Sequence, residues 1–290
     1  MPHTLQHLLL TDTPILAKAL ALENSSARID VQCLLQEVLQ VQRVYFLSHP
    51  ERVLSETEFS HYQQFLQRRL SGEPIAYILG EREFFGLALR VTPATLIPRP
   101  DTELLVELAL QKLPKNARCS VLDLGTGSGA IALAIAKNCP QAEVVACDVS
   151  AEALKVAQQN ARTLGLNNIK FMQSNWFSAL DTQQFNLIVS NPPYIAAADP
   201  HLAQGDLRFE PVSALASGVD GLDDIRQIVT RVPHHLLPGG WLLLEHGYDQ
   251  AAQVRSLLEQ AGFKAVFSAC DLAGIERASG GRLDEPDATL

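Results

Sequence analysis

The chain has 290 residues, enough for one large α/β domain and a smaller companion, and its 47% hydrophobic and 19% charged content excludes a disordered or fibrous protein. A net charge of −9 argues against tight, sequence-independent nucleic-acid binding, which needs Lys and Arg to neutralise phosphates. No apolar run reaches transmembrane length and the amino terminus has no basic n-region, so no membrane association is expected and the cytosol is the expected compartment. The five cysteines (Cys33, Cys119, Cys139, Cys147 and Cys270) form no Cys-x-x-Cys pair and read as reduced structural thiols. The eight histidines show no metal-ligand spacing, so no metal is expected.

Residues 1–82 read as a small helical domain. Ile29, Leu34, Leu35, Val38 and Leu39 trace one amphipathic face. Ser55-Glu56-Thr57-Glu58 has capping-box spacing, Phe59, Tyr62, Leu66 and Leu70 follow at helical intervals, and Gly72 and Pro74 end the helix. Residues 83–116 read as a connector: Phe84 to Val91 as a short strand or hairpin, then the stiff Ile97-Pro98-Arg99-Pro100, then a helix to about Leu113 capped by Asp101 or Thr102.

From residue 117 to 290, strands alternate with helices. Ser120–Leu124, Glu143–Cys147, Ile169–Met172, Phe185–Ser190 and Trp241–Glu245 are the strand candidates. Helices are expected near Ala130–Asn138, Ala151–Leu164 and Leu222–Val232, and the last residues from Leu283 are expected to fray. This alternation predicts a parallel sheet with right-handed crossovers.

Two motifs carry chemistry. Asp123-Leu124-Gly125-Thr126-Gly127-Ser128-Gly129-Ala130 lies between the first of these strands and its helix, where glycines let the backbone turn tightly and approach a ligand. Its spacing fits a nicotinamide dinucleotide as well as S-adenosylmethionine, and Asp148 at the end of the next strand is placed for the ribose hydroxyls of either. Asp123 favours S-adenosylmethionine, because a carboxylate there repels a pyrophosphate and suits the cationic methionine end. Asn175-Trp176-Phe177 reads either as a flank for an adenine ring, with Trp176 stacking and Asn175 hydrogen-bonding, or as an aromatic cluster under a loop. The second motif, Asn191-Pro192-Pro193-Tyr194, ends the strand Phe185–Ser190. An amide oxygen followed by two residues without a backbone N–H makes a rigid, acceptor-rich corner, suited to holding a planar –NH2 group by its hydrogens.

Together with Ile97-Pro98-Arg99-Pro100-Asp101-Thr102-Glu103 and Arg208-Phe209-Glu210-Pro211, these motifs resemble the PrmC/HemK family of glutamine methyltransferases that modify peptide chain release factors. The resemblance runs from Phe84 to Arg282, and more loosely through the helical domain. It implies a Rossmann-like class I S-adenosylmethionine-dependent methyltransferase sheet with a small helical amino-terminal domain, and residues 1–82 are expected to dock the substrate. The implied reaction moves a methyl group from S-adenosylmethionine to the side-chain amide nitrogen of the Gly-Gly-Gln glutamine in class 1 release factors.

The resemblance implies catalytic roles for Asn191, Pro192 and Tyr194 and a substrate pocket of Asn191, Pro192, Pro193 and Tyr194. The expected cofactor contacts are Asp123, Gly125, Thr126, Gly127, Ser128, Gly129, Asp148, Asn175, Trp176 and Asn191. Asn175 departs from the family, many of whose members carry Asp there. Arg208–Pro211 and Gly218–Leu222 read either as a closing loop over the site or as a surface loop pinned by an Arg208–Glu210 contact. The same corner also suits an adenine amine on DNA or RNA, the glycine loop alone suits a nicotinamide oxidoreductase, and a non-catalytic binding module on the same scaffold is the fourth reading.

Overall fold

The computed structural model describes residues 3–114 and 117–284, which form two compact units. One is built from the described residues up to Gly80 together with Ala203–Phe209, the other from Glu81–Leu202 and from Glu210 onward.

The first unit is helical: α1 (Leu5–Leu20), α2 (Asn24–Leu39), α3 (Tyr45–Ser48), α4 (Glu56–Leu70) and α5 (Ile75–Leu79). The capping box on α4 forms, with Ser55 Oγ accepting from the Glu58 amide at 3.3 Å and Glu58 Oε2 accepting from the Ser55 amide at 2.7 Å. Beyond Leu70 the chain turns away through Gly72 at φ +96°. The apolar core gathers Leu5, Leu16, Val31, Leu34, Leu35 and Tyr62, and the Tyr62 hydroxyl donates to Asp12 at 2.8 Å. Of the apolar face expected on α2, Leu34 and Leu35 are buried and Val38 and Leu39 pack against the same core, but Ile29 is exposed and Ala27 and Val31 take the inward positions nearer the start of the helix. Buried Arg69 binds Asp30 at 2.8 Å and Asp206, in the segment Ala203–Phe209, at 3.1 Å.

The second unit opens with a hairpin, β1 (Glu81–Phe84) and β2 (Leu87–Arg90). Phe85 and Gly86 both adopt positive φ, the geometry of a two-residue turn matched to strand twist. There follow α6 (Glu103–Lys112), β3 (Cys119–Leu124), α7 (Ala130–Asn138), β4 (Ala142–Asp148), α8 (Ala151–Thr163), β5 (Ile169–Gln173), β6 (Phe185–Ser190), α9 (Asp223–Arg231), β7 (Leu236–Glu245), α10 (Ala251–Gln260), β8 (Lys264–Cys270) and β9 (Glu276–Arg282). The sheet order is β5-β4-β3-β6-β7-β9-β8. Strands β3 to β7 are parallel, and both faces of the sheet are covered by apolar residues.

The sheet is not wholly parallel, as the alternation alone predicts. Strand β9 runs antiparallel to β7, and β8 antiparallel to β9. Both escape pattern reading because β8 is only partly buried and the glycines of β9 break its apolar period. Nor is Leu283 frayed: its amide donates to Gly240 O and its carbonyl accepts from the Gly239 amide, both at 2.8 Å. The rest of that tail, from Glu285, lies outside the described residues.

Two features fix the upper edge of the sheet. Buried Asn160 on α8 donates to Ser128 O at 2.9 Å and Arg90 O at 3.0 Å, and accepts from the Arg90 amide at 2.8 Å. One side chain thus ties the hairpin to the glycine-rich turn. Gly280 lets β9 lie close to β7, because a Cβ there would stand 2.5 Å from Leu243 Cδ2 and 2.8 Å from Leu242 O. Gly280→Ala should therefore destabilise the fold by about 1–3 kcal/mol, read as a lowered urea midpoint with the fold retained.

Candidate active site

The sheet order reverses between β3 and β6, the switch point where open α/β sheets bind ligands. The two strands end in register, Leu124 beside Ser190, and Ser190 Oγ donates to Leu124 O at 2.7 Å. The glycine turn and the Asn-Pro-Pro-Tyr corner therefore leave the sheet side by side.

The turn is held from several directions. The Gly125 and Thr126 amides both donate to Cys147 O, at 2.9 and 2.8 Å. Gly125, Gly127 and Gly129 all have positive φ. Asp148 is pre-oriented, with Oδ2 accepting from the Gly127 amide at 2.9 Å and Oδ1 from the Ser150 amide at 2.8 Å. Burial raises its pKa, and the backbone N–H groups of Ser150, Gly127 and Val149 pull it back.

A cavity of about 520 Å³ opens in front of the turn, within the range of cofactor-sized pockets. Of the residues singled out from sequence, Gly125, Gly127, Asp148, Asn175, Trp176, Asn191 and Pro193 line it. A Cβ on Gly127 would meet no atom within 4 Å, so the floor there is bare backbone facing open space. A Cβ on Gly125 would stand 3.5 Å from the Trp176 ring, which closes that side, and Trp176 itself sits at φ +50°.

Other singled-out residues lie behind the wall. Thr126 and Ser128 are buried and support the turn. A Cβ on Gly129 would approach Leu133 Cδ1 to 2.8 Å and Ala157 Cβ to 3.2 Å, so this glycine permits helix packing. Asp123 is completely buried beneath the turn, its Oδ2 accepting from Thr126 Oγ1 at 2.6 Å and the Ala132 amide at 3.2 Å. Its Oδ1 has no partner among the described residues, and burial pushes its pKa up to about 7.

At the corner, Asn191 Nδ2 donates to Thr102 Oγ1 at 3.2 Å and Pro192 is buried. Tyr194 turns to a second cavity of about 780 Å³, shared with Ile195, Asp220, Tyr248, Gln250 and Arg277. Its hydroxyl donates to Glu245 Oε1 at 3.3 Å, and burial with that carboxylate raises the phenol pKa. Gln250 Nε2 donates to Tyr194 O at 3.0 Å, and the chain beyond is tied by Ile195 N to Leu215 O at 2.9 Å.

Several contributors were not legible as such. Neither Asp101 nor Thr102 caps α6 as expected, because both belong to a 3-10 turn (Pro100–Thr102) that runs into the helix, and the Thr102 hydroxyl accepts from Asn191 Nδ2. Glu210 pairs with Arg99, not Arg208, and its Oε2 accepts from the Ile97 amide at 2.9 Å. Arg208 instead donates to Ser71 O at 3.3 Å in the helical unit. The quoted Pro-Arg-Pro-Asp-Thr-Glu and Arg-Phe-Glu-Pro motifs were the available signal, but motif order cannot show which charges meet. Glu245 carried no signal beyond standing at a strand end.

The strand order, the glycine turn and the cavity before it define a class I S-adenosylmethionine-dependent methyltransferase. The methyltransferase small domain matches residues 102–206, and the PrmC N-terminal domain matches residues 16–80. The release factor glutamine methyltransferase of Pseudomonas aeruginosa is 52% identical over 90% of this chain and 94% of that protein. The one from Xylella fastidiosa is 50% identical over 93% of this chain and 98% of its own length. The chain belongs to the release factor glutamine methyltransferase family. The fold is also that of the T. thermophilus 16S rRNA N2 G1207 methyltransferase in complex with AdoMet and guanosine, at TM-score 0.53 and 21% identity over 70% of this chain and 49% of that one.

Gly221 governs the corner from below. It has φ +78°, and a Cβ there would stand 2.2 Å from Tyr194 O and 2.7 Å from Gln250 Nε2. Gly221→Ala should cost about 1–3 kcal/mol through strain and displaced backbone, seen as a lowered melting temperature.

Proposed function

We propose that this chain transfers a methyl group from S-adenosylmethionine to the side-chain amide nitrogen of the Gly-Gly-Gln glutamine in class 1 peptide chain release factors, acting in the cytosol. The observation that carries the reading is the Asn191 corner standing beside the glycine turn on one sheet edge, in a chain about half identical to proteins named for this activity. Those names do not favour the adenine alternative, and the methyltransferase domain match does not favour a nicotinamide enzyme.

The cavity fits S-adenosylmethionine: it has a bare glycine floor, an oriented carboxylate at Asp148, an indole wall at Trp176 and an unpartnered buried carboxylate oxygen on Asp123 beneath. Gly125, Gly127, Asp148, Asn175 and Trp176 would hold it, with Thr126, Ser128 and Gly129 shaping the turn and Asp123 favouring its positive end. When bound, it supplies an electrophilic sulfonium methyl group.

The protein's part is positional. An amide nitrogen is a poor nucleophile because its lone pair is delocalised into the carbonyl. Asn191 Oδ1 and the Pro192 carbonyl accept the two hydrogens of the substrate –NH2 and aim its nitrogen, while Pro193 stiffens the corner and Tyr194, which faces the second cavity rather than the first, braces it through its hydroxyl bond to Glu245. Positioning of this kind can offset roughly 7–11 kcal/mol of barrier at best. We assign residues 1–82 to substrate docking, 83–116 to a connector and 117–290 to methyl transfer, supported by the separate core of the helical unit.

The deciding experiment follows labelled methyl from S-adenosylmethionine into purified release factor, beside a Gln-to-Ala version of its Gly-Gly-Gln loop. Label that disappears with the glutamine is expected; equal labelling of both proteins would refute the target. Asn191→Ala should lower turnover by about 10²–10³, the scale for one positioned polar group, and near-normal turnover would remove its assigned role. Asp148→Ala should weaken cofactor binding by about 10- to 100-fold in calorimetry, because a charged hydrogen-bond acceptor is lost.

A further inference from the structure

We infer that Thr102 and Glu245 are positioning residues that decide which end of the Asn191 carboxamide faces the substrate. This rests on the reading of Asn191 as the acceptor for a substrate –NH2 group. A carboxamide is nearly symmetric in shape, so packing alone does not choose between its oxygen and its nitrogen. Only one orientation serves. With Oδ1 toward the substrate the corner accepts a hydrogen; with Nδ2 there, two donors would confront each other.

The choice is made through a hydroxyl. Asn191 Nδ2 stands 3.2 Å from Thr102 Oγ1. A hydroxyl has one proton to donate and lone pairs to accept with, so Thr102 on its own would tolerate either end of the amide. Glu245, completely enclosed at the end of β7, removes that freedom: its carboxyl is hydrogen-bonded by the Thr102 side chain and accepts from the Tyr194 hydroxyl at 3.3 Å. An ionised carboxylate can only accept. The Thr102 proton is therefore committed to Glu245, the lone pairs left toward Asn191 require Nδ2, and Oδ1 is turned outward.

A second observation supports this. Thr102 ends a 3-10 turn (Pro100–Thr102) that runs directly into α6 with its own backbone already helical, so no helix amide claims its hydroxyl. Its side chain serves the corner instead. Glu245 is also held without a close ion pair. Beyond Thr102 and Tyr194, the groups that influence it are Asp101 and Arg277, and Arg277 is engaged with Asp271 at 3.3 Å and Asp101 at 3.8 Å. Oε2 has no partner among the described residues.

Enclosure in this way places the Glu245 pKa at about 7, desolvation raising it and the two hydroxyls drawing it back. Protonated Glu245 is itself a donor, which frees the Thr102 proton to bind Asn191 Oδ1 in competition with the substrate. Methyl transfer should then fall as pH drops through that value.

The test compares wild type, Thr102→Val, Thr102→Ser and Glu245→Gln. It measures methyl transfer to release factor across pH, calorimetric affinity for release factor with the enzyme saturated in S-adenosylhomocysteine, and melting temperature. Thr102→Val should lose about 10- to 100-fold in kcat and bind release factor more weakly, while Thr102→Ser stays within about threefold of wild type in both. The decline of kcat below about pH 7 should disappear in Glu245→Gln.

Equal behaviour of the Val and Ser variants, or an unchanged acidic decline in Glu245→Gln, overturns the inference while wild-type labelling of the glutamine leaves the functional reading standing. If Glu245→Gln fails to fold, the Thr102 pair decides, since Val and Ser differ in the hydroxyl that the inference requires. Absence of label from wild type removes the functional reading and the inference together.

Discussion

The hydrogen bond from Ser190 Oγ to Leu124 O, closing the parallel register of β3 and β6, is the constraint on which the site depends. It makes the two central strands stop at the same height, so that one delivers a glycine turn and the other a proline-stiffened corner to the same patch of sheet edge. In a sheet, a slip of one residue turns every side chain to the opposite face. Here a slip would take Asp123 from beneath the glycine turn to the opposite face of the sheet and move Asn191 away from the cavity. Fully buried Val121, Leu122, Ile188 and Val189 oppose any such slip.

Around that edge the protein encloses polar groups and uses them as struts. Asn160 joins the hairpin to the glycine turn, Glu210 joins the Ile97–Arg99 stretch to the segment beginning at Pro211, and Gln250 holds the carbonyl of Tyr194. A buried polar group is costly unless it is hydrogen-bonded, which is why such groups fix one arrangement of loops that apolar contacts would leave loose. Asp123, Asp148 and Glu245 all have raised pKa values for the same reason, burial in surroundings without a close cation. A positive charge brought to this edge would draw the nearby carboxylates back toward their ionised forms.

Tertiary demands overrode local preference at identifiable places. Trp176 accepts a left-handed backbone, uncommon for a bulky residue, while its ring covers Gly125. Ile29 faces outward although its spacing matches the apolar stripe of α2, because the neighbouring helices meet that helix along Ala27, Val31 and Leu34. Such departures from local expectation concentrate where function or packing needs a particular geometry.

The sequence by itself determined the alternation of strands and helices, the glycine turn after β3 and the acceptor-rich corner after β6. Each is written in short-range periodicity or in residues with unusual backbones. It also determined the helical character of the amino-terminal segment, through the capping box at Ser55. Only the tertiary structure decided that the sheet ends in an antiparallel pair, that Glu210 takes Arg99 rather than Arg208, and that Asp123 lies under the turn rather than on the cavity wall. It alone brought Thr102, Asn191, Tyr194 and Glu245 into one hydrogen-bonded group. Those residues are separated by up to 143 positions, and their meeting follows from strand order and register, which no local pattern encodes.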